Sequence, residues 1–171
     1  MAFVDPQTVQ DPVVGLVATS GWGDAANAAI NWIHDAKAGC LVTTTTGTST
    51  STDTVIPFAA TETWDNQSCH STVSNTSRIT IPTNWGGLWA FGANIGCTTG
   101  TFHTYIVLNA TTKIVGQSAP TTVSVASMLD LMTIYPVSAG DYLEVWVSGG
   151  TAIDTGRNNY FWSCFLHQGV A

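Results

Sequence analysis

Residues 127–148 read SMLDLMTIYPVSAGDYLEVWVS. Two runs rich in strand-favouring side chains, 127–136 and 141–148, flank Ser138-Ala139-Gly140-Asp141, which supplies a turn. The same punctuation continues in both directions. VIPF (55–58), RITIP (78–82), GLWAFGANIG (87–96), FHTYIVLNA (102–110), KIVGQS (113–118) and NNYFWSCFL (158–166) are further short runs. Pro82 stops the second of them, because proline cannot donate to a strand ladder. Gly86-Gly87, Asn109-Ala110 and Gly149-Gly150 read as turns rather than phosphate loops. Short strands spaced by roughly 8–12 residues predict an all-β chain folded as an antiparallel sandwich or jelly roll.

Composition bounds the function. The chain has 171 residues, enough for one domain or a domain with an arm. Only 9% of residues are charged, against about 25% in an ordinary soluble domain. The net charge is −7, with 4 basic residues in all. That argues against nucleic acid and against an anionic membrane surface, both of which select for clustered Lys and Arg. No apolar run reaches the ~18–20 residues that would span a bilayer, so no membrane insertion is expected. No signal peptide is visible in MAFVDPQTVQDPVVG. Ser and Thr together supply 40 residues, so the polar surface is made of neutral groups. A surface so poor in charge suits a protein that spends it on subunit contacts.

The chain divides into three parts by composition. In residues 1–20, Pro6, Pro12 and Gly15 interrupt every apolar run, and the segment reads as an extended arm. Residues 22–38, WGDAANAAINWIHDAKA, predict one short α-helix, with Asp24 at its start and Gly39 past its end. Ala26, Ala29, Ile30, Ile33 and Ala36 recur on one face. Residues 43–54, TTTTGTSTSTDT, read as a linker or an edge strand. The expected organisation is therefore an arm and helix over 1–42, a linker over 43–54, and a β-domain over 55–171.

The strands resemble the C1q/TNF-like jelly roll. Ile81-Pro82 followed by Gly87-Leu88-Trp89 is similar to that family's strand-ending Pro and Gly-x-Tyr. Val137 to Val145 is similar to its Leu-x-x-Gly-Asp-x-Val segment. Trp162-Ser163-Cys164-Phe165-Leu166 is similar to its last strand, with Cys164 standing where the family has Gly. The resemblance covers about residues 55–168 and implies a homotrimer in which one aromatic sheet faces two neighbours. A second resemblance lies in the arm. Val-Asp-Pro, then Gly-Trp-Gly-Asp-Ala-Ala-Asn (21–27), is similar to the N-termini of tailed-bacteriophage virion proteins that dock a fibre, spike or decoration protein.

These resemblances imply a non-enzymatic virion structural protein, a capsid-decoration or tail-fibre type of protein on the phage particle surface, made in the bacterial cytoplasm and aiding host adhesion. The arm would bind other virion proteins through Trp22, Asp24, Ile30 and Ile33. Tyr160, Phe161 and Phe165 carry more rings than one face of a core can use, which points to the trimer interface; filling of a single sandwich interior is the alternative. Period two puts Trp162, Cys164 and Leu166 on one face and Phe161, Ser163 and Phe165 on the other. The Cys164 face is expected inside and the Phe161–Phe165 face at the subunit contact. Trp64 and Trp85 lie in expected loops, where they could stack on host-surface glycans or pack against the sheet. A soluble C1q-like ligand- or glycan-recognition domain outside a virus is the competing function.

Other chemistry finds little support. His34, His70, His103 and His167 are scattered, and no pair has the spacing of a metal site. Glu62 and Asp65 could suggest a carboxylate pair for glycoside hydrolysis, but their separation is not fixed by sequence. Asp141 reads as a turn residue rather than a calcium ligand. The sequons at Asn66, Asn75 and Asn109 read as chance in a Ser/Thr-rich chain. Cys40, Cys69, Cys97 and Cys164 include no C-x-x-C pair and read as small buried hydrophobes, with three pairings open if all are bridged. No catalytic residue, metal or cofactor is expected.

Overall fold

A computed structural model of the chain describes residues 38–45, 49–50, 52–59, 61–98, 101–118, 127–149, 151–152, 156 and 159–168. The arm, the helix predicted over 22–38 up to Lys37, and Trp22, Asp24, Ile30 and Ile33 lie outside the described residues. Among the described residues all regular structure is β.

The strands are β1 (Gly39–Thr44), β2 (Ser49–Thr50), β3 (Thr54–Val55), β4 (Thr61–Asn66), β5 (Arg78–Thr80), β6 (Gly87–Cys97), β7 (His103–Leu108), β8 (Thr112–Ser118), β9 (Ser127–Val137), β10 (Tyr142–Ser148), β11 (Thr151–Ala152) and β12 (Asn159–His167). One five-stranded sheet runs β4-β1-β12-β6-β9. A second runs β3-β10-β7-β8, with β5 also paired to β10. β2 and β11 make a small ribbon. The ladders of both main sheets are antiparallel.

Alternation builds the core between the two sheets. Val42, Phe91, Ile95, Leu131 and Phe161 point inward from the five-stranded sheet, and Ile79, Ile106, Leu143, Val145 and Val147 from the other. Each fully buried Val, Leu, Ile or Phe contributes about 1.5–3 kcal/mol.

Two boundaries differ from the sequence reading. The compact unit begins at Ala38, not at residue 55. β1 lies within the expected arm and linker because Cys40, Val42 and Thr44 alternate inward with no exposed surface, and its backbone pairs with both β12 and β4. A threonine run reads as a linker by composition, yet its β-branched side chains suit a strand. The stretch over 61–66 is a strand rather than a loop. It is an edge strand, pairing with β1, and its polar Glu62, Asp65 and Asn66 give it no apolar alternation.

The hairpin that decided the fold is held by side chains as well as by its ladder. Asp141 Oδ2 accepts the Ser138 N–H at 2.8 Å, closing the turn around Gly140, whose φ is +87°. Asp141 Oδ1 accepts the Asn109 Nδ2–H at 2.8 Å, and Asn109 Oδ1 accepts the Tyr142 N–H at 3.0 Å. The turn after β7 and the turn before β10 are thus tied together. Asp141 acts as the turn residue its position suggested.

Candidate functional site

The last long strand decides what each sheet shows to solvent. Along β12, Asn159, Phe161, Ser163 and Phe165 are buried, while Tyr160 and Leu166 are exposed and Trp162 and Cys164 half-buried. The expected faces are therefore inverted. Phe161 packs against Phe58 with ring centroids 5.6 Å apart. Phe165 meets Trp85 edge-on at 4.9 Å and Trp89 at 5.6 Å. Both are core residues of the protomer, not residues open to a neighbour. The physical reason is the partners each face meets: Phe58, Trp85 and Trp89 pack against the two phenyl rings inside the protomer, while the Trp162 indole lies over Gly92 on the outer face. Of the three residues assigned to an interface, Tyr160 alone points outward.

The outward face of the five-stranded sheet is apolar across its width. Register places Trp64 opposite Leu41, Leu41 opposite Trp162, Trp162 opposite Gly92, and Gly92 opposite Met132. The adjoining row is Gly39, Cys164, Ala90 and Ile134. Glycine makes the first row possible. A Cβ at Gly92 would overlap the Trp162 indole, so that ring lies over the backbone of β6. A Cβ at Gly39 would stand 3.0 Å from Trp64 Cη2. Met132 is 68% exposed, Ile134 54% and Leu166 45%. The charge on this part of the sheet is Asp130, hydrogen-bonded to the side chain of Asn94.

The other sheet is different in kind. Its outward face carries the two described cations, each already engaged. Arg78 lies 3.9 Å from the centroid of the Tyr142 ring and its Nε donates to Glu144 Oε1 at 2.9 Å. Glu144 Oε2 accepts the Trp146 indole N–H at 3.1 Å. Lys113 Nζ sits 3.7 Å from the Tyr105 ring centroid and donates to Asp53 Oδ2 at 3.0 Å, which lowers the Asp53 pKa. One face is satisfied within the protomer; the other offers apolar side chains that nothing described covers. Exposed apolar patches beyond a few hundred Å² mark interaction sites.

The remaining candidates have structural roles. Trp64 sits on β4, 39% exposed, rather than in a loop. Trp85 is in a loop but packs on the core: its carbonyl accepts the Trp89 indole N–H at 2.9 Å and its ring meets Phe165. The Trp85 ring is half-buried. Glu62 and Asp65 are engaged with the chain after β4. Asp65 accepts the backbone N–H groups of Cys69 at 2.8 Å and His70 at 3.0 Å. Glu62 Oε1 bonds His70 Nδ1 at 2.9 Å, and His70 Nε2 bonds the Thr76 carbonyl at 3.0 Å. His103 bonds Ser118, His167 is exposed, and His34 lies outside the described residues. Among the described residues, no group of three or more His, Cys, Asp or Glu could hold a metal ion. Of the four cysteines, Cys40, Cys69 and Cys97 are buried, and Cys164 is half-buried.

Sequence reasoning missed the outward row of β1, β12, β6 and β9. Gly92, opposite Trp162, and Gly39, against which the Trp64 ring lies, were its signal, legible only once register is known.

No protein-family model matches this sequence, and no curated protein matches it. Solved structures do. The globular domain of zebrafish complement 1qA matches at a TM-score of 0.62 with 10% identity, covering 77% of this chain and 99% of that one. Murine APRIL at pH 8.5 matches at 0.58 with 9% identity, covering 76% and 99%, and murine APRIL at pH 5.0 at 0.55 with 8% identity, covering 76% and 99%. With two antiparallel sheets enclosing one core, the described part of this chain has the C1q/TNF-like jelly-roll fold.

Proposed function

We propose that this chain is a non-enzymatic, homotrimeric binding module that uses the outward face of the five-stranded sheet for self-association. The observation that carries the reading is the contiguous row of Trp64, Leu41, Trp162 and Met132 with Ile134 beside it, on one sheet, while the other sheet's charges are paired internally. Burying such a face against two copies removes apolar surface from water at about 25 cal/mol per Å². Footprinting of the full chain tests it. Met132, open in a lone protomer, is protected from hydroxyl-radical oxidation at micromolar concentration; oxidation at the rate of a free methionine overturns the association.

The setting we propose is the surface of a tailed-phage particle, with the arm attached to capsid or tail proteins through Trp22, Asp24, Ile30 and Ile33, and the domain decorating the particle or aiding adhesion. Residues 21–27 and the low charge support this. Deleting residues 1–37 then abolishes incorporation into particles; unchanged incorporation contradicts it. A soluble recognition domain outside a virus is the second reading, favoured by the C1q-like fold, and it holds if the protein is absent from purified particles yet trimeric.

A further inference from the structure

The chain from Asp65 to His70 curls under β1, and this brings two thiols together. In the β1–β4 register Cys40 stands opposite Asp65. The Asp65 carboxylate then holds the N–H groups of Cys69 and His70, returning the chain toward β1. Cys40 is 0% exposed and Cys69 1%, in one core cluster. Cys69 Sγ donates to the Asn66 carbonyl at 3.2 Å. Cys40 Sγ lies 3.7 Å from Ser163 Oγ, and the Cys69 thiol beside it, followed by burial, pushes the Cys40 pKa well above the usual thiol range. Both thiols are buried, so an oxidant reaches them only when the 66–70 turn opens or while the chain is still folding.

We propose that Cys40 and Cys69 form an intramolecular disulfide when the chain folds in the presence of a disulfide oxidant, stapling β1 to the turn that follows β4. The step balances as thiol–disulfide exchange. The thiolate of one cysteine attacks the oxidant's S–S bond and releases one oxidant thiol. The second thiolate then attacks the mixed disulfide, forming the Cys40–Cys69 bond and releasing the other. Two protein S–H bonds and one oxidant S–S bond are lost; one protein S–S bond and two oxidant thiols are formed.

The other cysteines cannot compete. Cys164 points to the opposite side of the sheet from Cys40, which faces the core beside Ser163. Cys40 pairs with Ser163 and Ser163 with Phe91, whereas Cys97 lies at the far end of β6. At about 3.4 Å per residue that is roughly 20 Å away, beyond the reach of a disulfide. The bond would close residues 41–68 into a loop and restrict the unfolded chain.

Refolding the full chain from denaturant in oxidised and reduced glutathione tests this without relying on access to the folded core. The result expected is a loss of two titratable thiols, a cross-linked peptide pair containing Cys40 and Cys69, and a melting midpoint raised by roughly 10 °C over the reduced protein. Cys40→Ser and Cys69→Ser each abolish the shift, and the double variant Cys97→Ser with Cys164→Ser keeps it. Four thiols after refolding, a cross-link through Cys97 or Cys164, or a lower midpoint on oxidation overturns the proposal. None of these outcomes depends on the association of the five-stranded face.

Discussion

The indole of Trp162 lies over Gly92 of the neighbouring strand, on the outward face of the five-stranded sheet. Only a residue without a Cβ permits this approach, since three ring atoms of Trp162 occupy the space a methyl would fill. Gly92→Ala must therefore displace the ring or the strand. Overpacking of this kind costs typically 1–3 kcal/mol. Chemical denaturation should show that loss, and the Trp162 environment should change with it. An unchanged midpoint would mean the ring finds another rotamer freely.

Phe161 and Tyr160 are adjacent and point to opposite faces. Phe161→Ala removes a fully buried ring packed on Phe58 and should cost about 3–5 kcal/mol of protomer stability. Tyr160→Ala, at a position 36% exposed, should cost less than about 1 kcal/mol. Comparing the two unfolding curves checks the face assignment of β12, and equal losses would refute it.

Thr104 is buried on β7, and its hydroxyl finds no partner among the described residues. Thr104→Val keeps the shape and removes the unsatisfied polar group. The expected outcome is a gain of about 1 kcal/mol in unfolding free energy. A loss instead would show that the hydroxyl is paired in solution.

Asp141 ties two turns through Ser138 and Asn109. Asp141→Ala leaves the Ser138 N–H and the Asn109 amide without those partners and should cost about 1–3 kcal/mol. Asn109→Ala should be non-additive with it in a double-mutant cycle, because both belong to one network. Strict additivity would contradict the link.

How far the fold was legible depended on how each strand meets water. The runs at 87–96, 102–110, 127–136 and 141–148 each became a strand within a residue or two, because alternation and turn residues agreed there. β1 was not legible: Thr43 and Thr44 belong to a low-complexity tract, and nothing local shows that Cys40, Val42 and Thr44 face a core. β4 was hidden because an edge strand of polar residues carries no apolar period. The face of β12 was misread for a related reason. Both of its faces carry large apolar groups, so period two separates Phe161 from Trp162 without saying which is inside. That is decided by partners distant in sequence, Phe58, Trp85 and Trp89.

The central claim is that Met132 and Ile134 belong to a self-association face. Among the described residues they are the two most exposed large apolar side chains on that sheet, they sit on β9 at its edge, and charge there should not disturb a core they do not enter. Light scattering of the full chain at micromolar concentration, beside the Met132→Lys and Ile134→Lys double variant, tests the claim directly. The account predicts the mass of a trimer for the wild type, and for the variant the mass of a folded monomer with a cooperative melt. A wild-type protein that runs as a stable monomer, or a variant that remains trimeric, would contradict it.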